Sequence, residues 1–199
     1  MSQIPQLMGE RALEHGIAMA VDHGGGSSSK MYVGGQANAS VAAGITTVSD
    51  TTENMAAQYK IPADTLVAGS TIRVRFVCLT SDQGGDDLTI RLRFGKDGST
   101  MTNDTECAVN TPVTQADGDF SVGDIIIQVR TTTTAVAFGT IADSDALGSK
   151  LVSAQFEPSF TIDATKDNYV SVTTQWDGSN ADNKCTTQAF VVDIVNPKT

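Results

Sequence analysis

Aromatic side chains are scarce, at 6% of the 199 residues, and charged side chains reach only 18%. Histidine occurs twice, as His15 and His23, far in sequence from the carboxylates of the later chain, and no G-x-S-x-G elbow is present. A nucleophile–base–orienter set is therefore missing, and no enzymatic role is expected. Cys78, Cys107 and Cys185 are odd in number and show no CxxC spacing, which excludes a fully paired disulfide framework. Two of them sit in apolar strand-like runs, where a free cysteine packs as a small hydrophobe, as expected for assembly in a reducing cytoplasm. No run of eighteen apolar residues exists, and no basic segment followed by an apolar one opens the chain, so neither a membrane span nor a secretory signal is expected.

Positive charge is also short. Lys and Arg number 13 against 23 Asp and Glu, a formal net charge of −10, which disfavours attraction to phosphate backbones. Such a balance suits the outside of a particle, and an ordinary acidic protein explains it equally well. The acidic clusters (Asp82 with Asp86 and Asp87, Asp143 with Asp145, Asp177 with Asp182) do not match a calcium loop. Turn aspartates commonly cap their own backbone instead. The stretch Gly24 to Lys30 (GGGSSSK) has the wrong spacing for a phosphate-binding loop, since Ser29 precedes Lys30 and Met31 follows it. No cofactor and no metal are expected.

What the chain does have is small, β-tolerant residues, chiefly Thr, Val, Ala and Ser, beside a hydrophobic share of 40%. That mix favours strands over helices. The composition shifts near residue 58. Before it come GGGSSS, GGQANAS and AAGITTVSDTT, segments too poor in large apolar residues to bury a core of their own. Two patches interrupt them. Ile4, Leu7, Met8 and Leu13 are spaced nearly as one face of a short helix; Ile17, Met19 and Val21 alternate as in a strand, which Lys30 to Val33, including Tyr32, continues beyond the glycines. Residues 1–57 read as an anchoring arm, on the order of 190 Å long if extended at about 3.3 Å per residue. Residues 58–199 read as a single domain, long enough to bury roughly two thirds of its unfolded surface.

From Tyr59 onward the strand signals are regular. Ile61-Pro62-Ala63-Asp64 and Gly69-Ser70 read as turns, after which Ile72, Val74 and Phe76 alternate with Arg73, Arg75 and Val77. Leu88, Ile90, Leu92 and Phe94 follow a glycine-rich loop. Phe120 and Val122 are separated by Gly123-Asp124 from Ile125, Ile127 and Val129, and later runs cover Thr131 to Ala142, Phe156 to Ile162, Tyr169 to Trp176 and Thr186 to Val195. This is about eight strands at sandwich-like spacing without a helix between them. An all-β, antiparallel jelly-roll-like sandwich with an extended N-terminal arm is expected.

Arg73, Arg75, Arg91 and Arg93 form the sharpest charged constellation. Each pair occupies alternate positions of one strand and so projects from one face. If the two strands pair, four guanidinium groups share a surface. That surface is a solvated face balanced by carboxylates on neighbouring strands or a contact to carboxylates of another chain, with nucleic-acid binding third because of the net negative charge.

The segment Thr46 to Phe76, which carries IPADTLVAGS, is similar to the opening of a jelly-roll module recurrent in tailed bacteriophages: a small-residue tail, a strand, a turn of the form IPA-x-TL-x-AG, and an alternating strand. The close of the chain resembles it too, with a strand ending at Gln175-Trp176, a polar turn from Asp177 to Lys184, and a last strand. The resemblance spans residues 46–195. It implies a virion structural protein, commonly trimeric, assembled in the host cytoplasm. Together with the arm it points to a capsid decoration (cement) protein on the outer shell, whose arm residues Ile4, Leu7, Met8, Leu13, Ile17, Met19, Val21 and Tyr32 dock on the major capsid protein. The same resemblance leaves open a tail-fibre or receptor-binding domain recognising host carbohydrate. That rival requires an exposed aromatic platform, with Trp176 or Tyr169 as candidate, against a core position for Trp176.

Overall fold

A computed structural model describes residues 45–48, 51–81, 85–96, 101–110, 113–114, 117–143, 155–156 and 159–196. Among them are twelve strands and one short 3-10 turn, Met101–Asn103. The strands are β1 (Ile45–Val48), β2 (Asn54–Ile61), β3 (Thr71–Ser81), β4 (Asp87–Gly95), β5 (Thr105–Val109) and β6 (Val113–Thr114). They continue with β7 (Phe120–Thr131), β8 (Thr134–Asp143), β9 (Gln155–Phe156), β10 (Phe160–Thr161), β11 (Asn168–Trp176) and β12 (Lys184–Val195).

These strands form two antiparallel sheets. The first has the order β1-β12-β3-β7-β8-β10; the second has β2-β11-β4-β5-β9, with β6 beside β4. The all-β, two-sheet sandwich expected from the sequence is present. Its core lies between the sheets, where each long strand contributes every second side chain. In β3 the buried row is Ile72, Val74, Phe76, Cys78 and Thr80; in β4 it is Leu88, Ile90, Leu92 and Phe94. Trp176, Phe76, Phe94 and Phe190 are the bulkiest fully buried side chains. Phe94 also meets Phe160 with ring centroids 5.6 Å apart and planes tilted by 54°, an arrangement that favours aromatic pairs.

The turns fall where the sequence placed two of them. Asp64 sits at φ 60° after Pro62, and Gly69 at φ 94°, the left-handed region that glycine enters without strain. Two boundaries differ from expectation. Strands β1 and β2 lie in what reads from sequence as the arm, and β2 runs across position 57/58. Ile45–Val48 pairs with Lys184–Thr187 of β12, and β2 pairs with β11 along nearly its whole length. The body thus takes in residues on both sides of that limit. Further on, Phe120 to Thr131 is one continuous strand rather than two. Gly123 does not break it; it makes room for the Phe76 ring, which a Cβ at that position would meet at 2.1 Å.

Candidate interaction surface

The two outer faces of the sandwich are built differently. On the second sheet the outward row of β11 holds Tyr169, Ser171, Thr173 and Gln175, and that of β4 holds Thr89, Arg91 and Arg93. Ser171 and Thr173 are fully buried although they point away from the core, because the chain's own polar groups cover them. Gln58 donates to the Ser171 hydroxyl at 3.1 Å. Glu53 crosses the sheet to accept both Nε and Nη2 of Arg93, at 2.5 and 2.7 Å, and the Thr173 hydroxyl donates to the same carboxylate. Arg93 also donates to the Asp104 carbonyl at 3.1 Å, and Arg91 pairs with Glu106 at 2.9 Å.

Burial by itself pushes the Glu53 carboxyl up. The hydrogen bonds from Arg93 and Thr173, with the Arg93 and Arg91 charges, outweigh it and hold Glu53 below its usual value. Arg93 is correspondingly raised, first by the Glu53 hydrogen bond. This is a forked, charge-assisted contact in a half-sheltered setting.

The first sheet turns outward a face on which exposed apolar side chains stand among charged and polar ones. Leu79, Phe120, Val122, Phe138 and Val195 are the five exposed large apolar side chains among the described residues. All five lie on outward rows of β3, β7, β8 and β12. None belongs to the second sheet. Register brings most of them together: Leu79 stands opposite Phe120, Val77 opposite both Val122 and Ala189, and Phe138 opposite Ile126. Where β12 bulges between Thr187 and Ala189, a hollow of about 280 Å³ opens, lined by Val77, Val122, Ala189 and Val191 together with Phe76, Gly123 and the charged Arg75 and Asp124.

Two ion pairs flank this apolar area. Arg73 forks onto both oxygens of Asp124, at 2.9 and 2.5 Å, and Arg75 meets Asp193 at 2.9 Å. The Arg73 hydrogen bond, ahead of slight desolvation, holds the Asp124 carboxyl below its usual value.

The four arginines therefore do not share a surface. Strands β3 and β4 follow one another in sequence but belong to different sheets, so Arg73 and Arg75 point from one outer face, and Arg91 and Arg93 from the other. Each has a carboxylate partner within the chain. Trp176 lies in the core at 2% exposure, and Tyr169 is half-buried on the second sheet, so Trp176 provides no platform for a sugar. His15, His23, Ile4, Leu7, Met8, Leu13, Ile17, Met19, Val21 and Tyr32 lie outside the described residues.

The three cysteines are free and buried. Cys107 donates to the Leu92 carbonyl at 3.2 Å, and burial pushes its thiol far up. Cys185 is raised by its hydrogen bond with Cys78, which favours the protonated thiol, and by burial. Protonated, enclosed thiols of this kind are packing groups. The acidic turns serve the backbone: Asp177 accepts the Asp87 amide at 2.7 Å, and Asp86 accepts the Asn183 side-chain amide at 2.7 Å. Among the described residues no group of three or more acidic, histidine or cysteine side chains is gathered to hold a metal ion. No helix among them is long and apolar enough to cross a membrane. No known protein family, curated protein or solved structure matches the chain.

The apolar outer face was the feature missed from sequence. Its signal was a failure of alternation. Val77 and Leu79 extend β3 on the row of Arg73 and Arg75, and Phe120 and Val122 stand on the opposite parity from Ile125 and Ile127. Once β7 is continuous, both sets cannot face the core.

Proposed function

We propose that this chain is a non-catalytic structural protein of a virion, a decoration protein on the outer shell of a tailed bacteriophage, acting as a homotrimer that docks on the major capsid protein. The observation that carries the assembly role is the apolar outer face of the first sheet. Exposed large apolar side chains gathered on one face mark a surface meant for contact, whereas the charged groups with displaced titration in the described residues are engaged in structural pairs. The virion assignment rests on the phage-like run from Thr46 to Phe76 and its matching close.

The sandwich is best read as a jelly roll. Its principal strands in chain order are β1, β2, β3, β4, β5, β7, β11 and β12. They pair first with last, second with second-last, third with third-last, and the middle two together. That is one long antiparallel ribbon. Pairing of β3 with β12 and of β4 with β11 joins the folded ribbon into two sheets, the wrapping that defines this architecture. The ten-residue β8 and the two-residue β9 and β10 extend the two sheets at their β7 and β5 sides.

In this reading residues 1–44 supply the grip on the shell. Each apolar side chain docked there contributes about 1.5–3 kcal/mol, and three arms on one trimer add by avidity. The test is co-sedimentation with shells assembled from the cognate major capsid protein. The full chain is expected to pellet with the shells and a chain lacking residues 1–40 to stay behind. Equal binding by both ends the arm-docking account, and no binding by either ends the decoration reading.

A further inference from the structure

We infer that the outer face of β12, β3, β7 and β8 is the surface on which a second copy of this chain docks, with the Phe138 ring of one copy seated in the hollow of the other. The inference rests on the reading of the chain as an assembly protein, and adds which surface joins the copies.

Three observations select a copy of this chain as the occupant. First, the face carries both halves of a fit. Phe138 and Phe120 stand out from it, 48% and 47% exposed, and the hollow lies on the same face beside the β12 bulge. The hollow is open to solvent and lined in part by Arg75 and Asp124, and its volume of about 280 Å³ exceeds the roughly 150 Å³ that takes up a benzene ring in an enclosed cavity, so a phenyl side chain has room there. Knob and hollow on one chain allow each copy to give and receive the same contact, the condition for a closed symmetric assembly.

Second, this face escapes the acidic charge that dominates the rest of the chain. The chain carries −10 overall, so most approaches of two copies are repelled. The outward rows of this face instead hold Arg73, Arg75, Arg130 and Lys184 against Asp124 and Asp193. The acidic surplus of the chain is absent from this face: Arg73 and Arg75 are paired with Asp124 and Asp193, and Arg130 and Lys184 remain exposed to water.

Third, the groups are those of an interface centre. Aromatic anchors surrounded by aliphatic neighbours and rimmed by satisfied ion pairs match the makeup of energetically dominant contacts. The second sheet lacks this makeup, since its outward row is polar and bonded to its own chain.

The experiment uses the full chain. Sedimentation equilibrium over a concentration series is expected to show a closed oligomer. Phe138→Asp should weaken it about thirtyfold or more, with circular dichroism confirming the fold, while Lys60→Glu on the second sheet leaves association unchanged. A photoreactive p-benzoylphenylalanine at Phe138 then identifies the occupant without relying on a destabilised variant. Crosslinks to β3, β7 or β12 of another copy support the assignment. A monomeric parent chain, or crosslinks confined to residues 1–44, overturns it. Shell binding is scored separately: an oligomer that ignores shells sinks the decoration role and leaves this interface standing, and a monomer that binds shells does the reverse.

Discussion

The two outer faces of this sandwich rest on one core and solve the same problem in opposite ways. The second sheet is finished within the chain: Glu53, Gln58 and Arg93 lie over Ser171 and Thr173 and leave them no exposure. The first sheet is unfinished, with apolar side chains standing in water beside two satisfied ion pairs. A face closed by its own polar groups gains little from a partner. A face of bare aromatics gains a great deal. The contrast singles out the first sheet as the face open to a partner in an acidic chain without a reactive constellation among its described residues.

Four substitutions sharpen the contrast. The largest effect is expected at the shared core, where Trp176→Ala should cost about 3–5 kcal/mol. Denaturant unfolding should show one transition, at lower midpoint, in which probes of both sheets move together. Separate transitions would mean that the faces do not share a core. Next comes Glu53→Ala, which removes the carboxylate shared by Arg93 and Thr173 in a half-sheltered site and should cost about 2 kcal/mol. Because Glu53 titrates below its usual value of 4.5, its contribution is complete above that value. It is lost as the pH falls through the lower folded value, since the unfolded chain takes up the proton first. The gap between parent and variant in denaturation midpoint should therefore close in acid.

A smaller loss is expected for Arg73→Ala on the first sheet, where the pair with Asp124 is open to water and screened. Added salt should shrink it further. The smallest change in the stability of the dissociated chain belongs to Phe138→Asp, within about 0.5 kcal/mol, despite its large effect on association. Thermal unfolding at low protein concentration measures it. A loss as large as that of Glu53→Ala would place Phe138 in the fold rather than at a contact.

Much of the architecture is legible in the amino-acid sequence. The period-two rows of Ile72–Phe76 and Leu88–Phe94 fix two strands and their buried faces, and the Pro62-Ala63-Asp64 and Gly69 turns fix where one begins. The early strands are not legible in the residue pattern, and only the resemblance points to a strand ahead of the Ile61 turn. Ile45–Val48 is short, and β2 buries consecutive Ala56 and Ala57, small residues that show no alternation. Their place is set by ladders to β12 and β11, more than a hundred residues away. The arginine surface failed for a related reason. Spacing tells which side of a strand a residue occupies, and cannot tell which sheet the strand joins; β3 and β4 part company at that step. The working face was visible only as the apolar intruders Val77, Leu79, Phe120 and Val122 on rows that should be polar.

The most direct measurement is hydroxyl-radical footprinting of the full chain at low and high protein concentration, read at Phe120, Phe138 and Tyr169. The account predicts that labelling of both phenylalanines falls several-fold as copies assemble, while Tyr169 on the second sheet is unchanged. Equal labelling of all three at every concentration would contradict it.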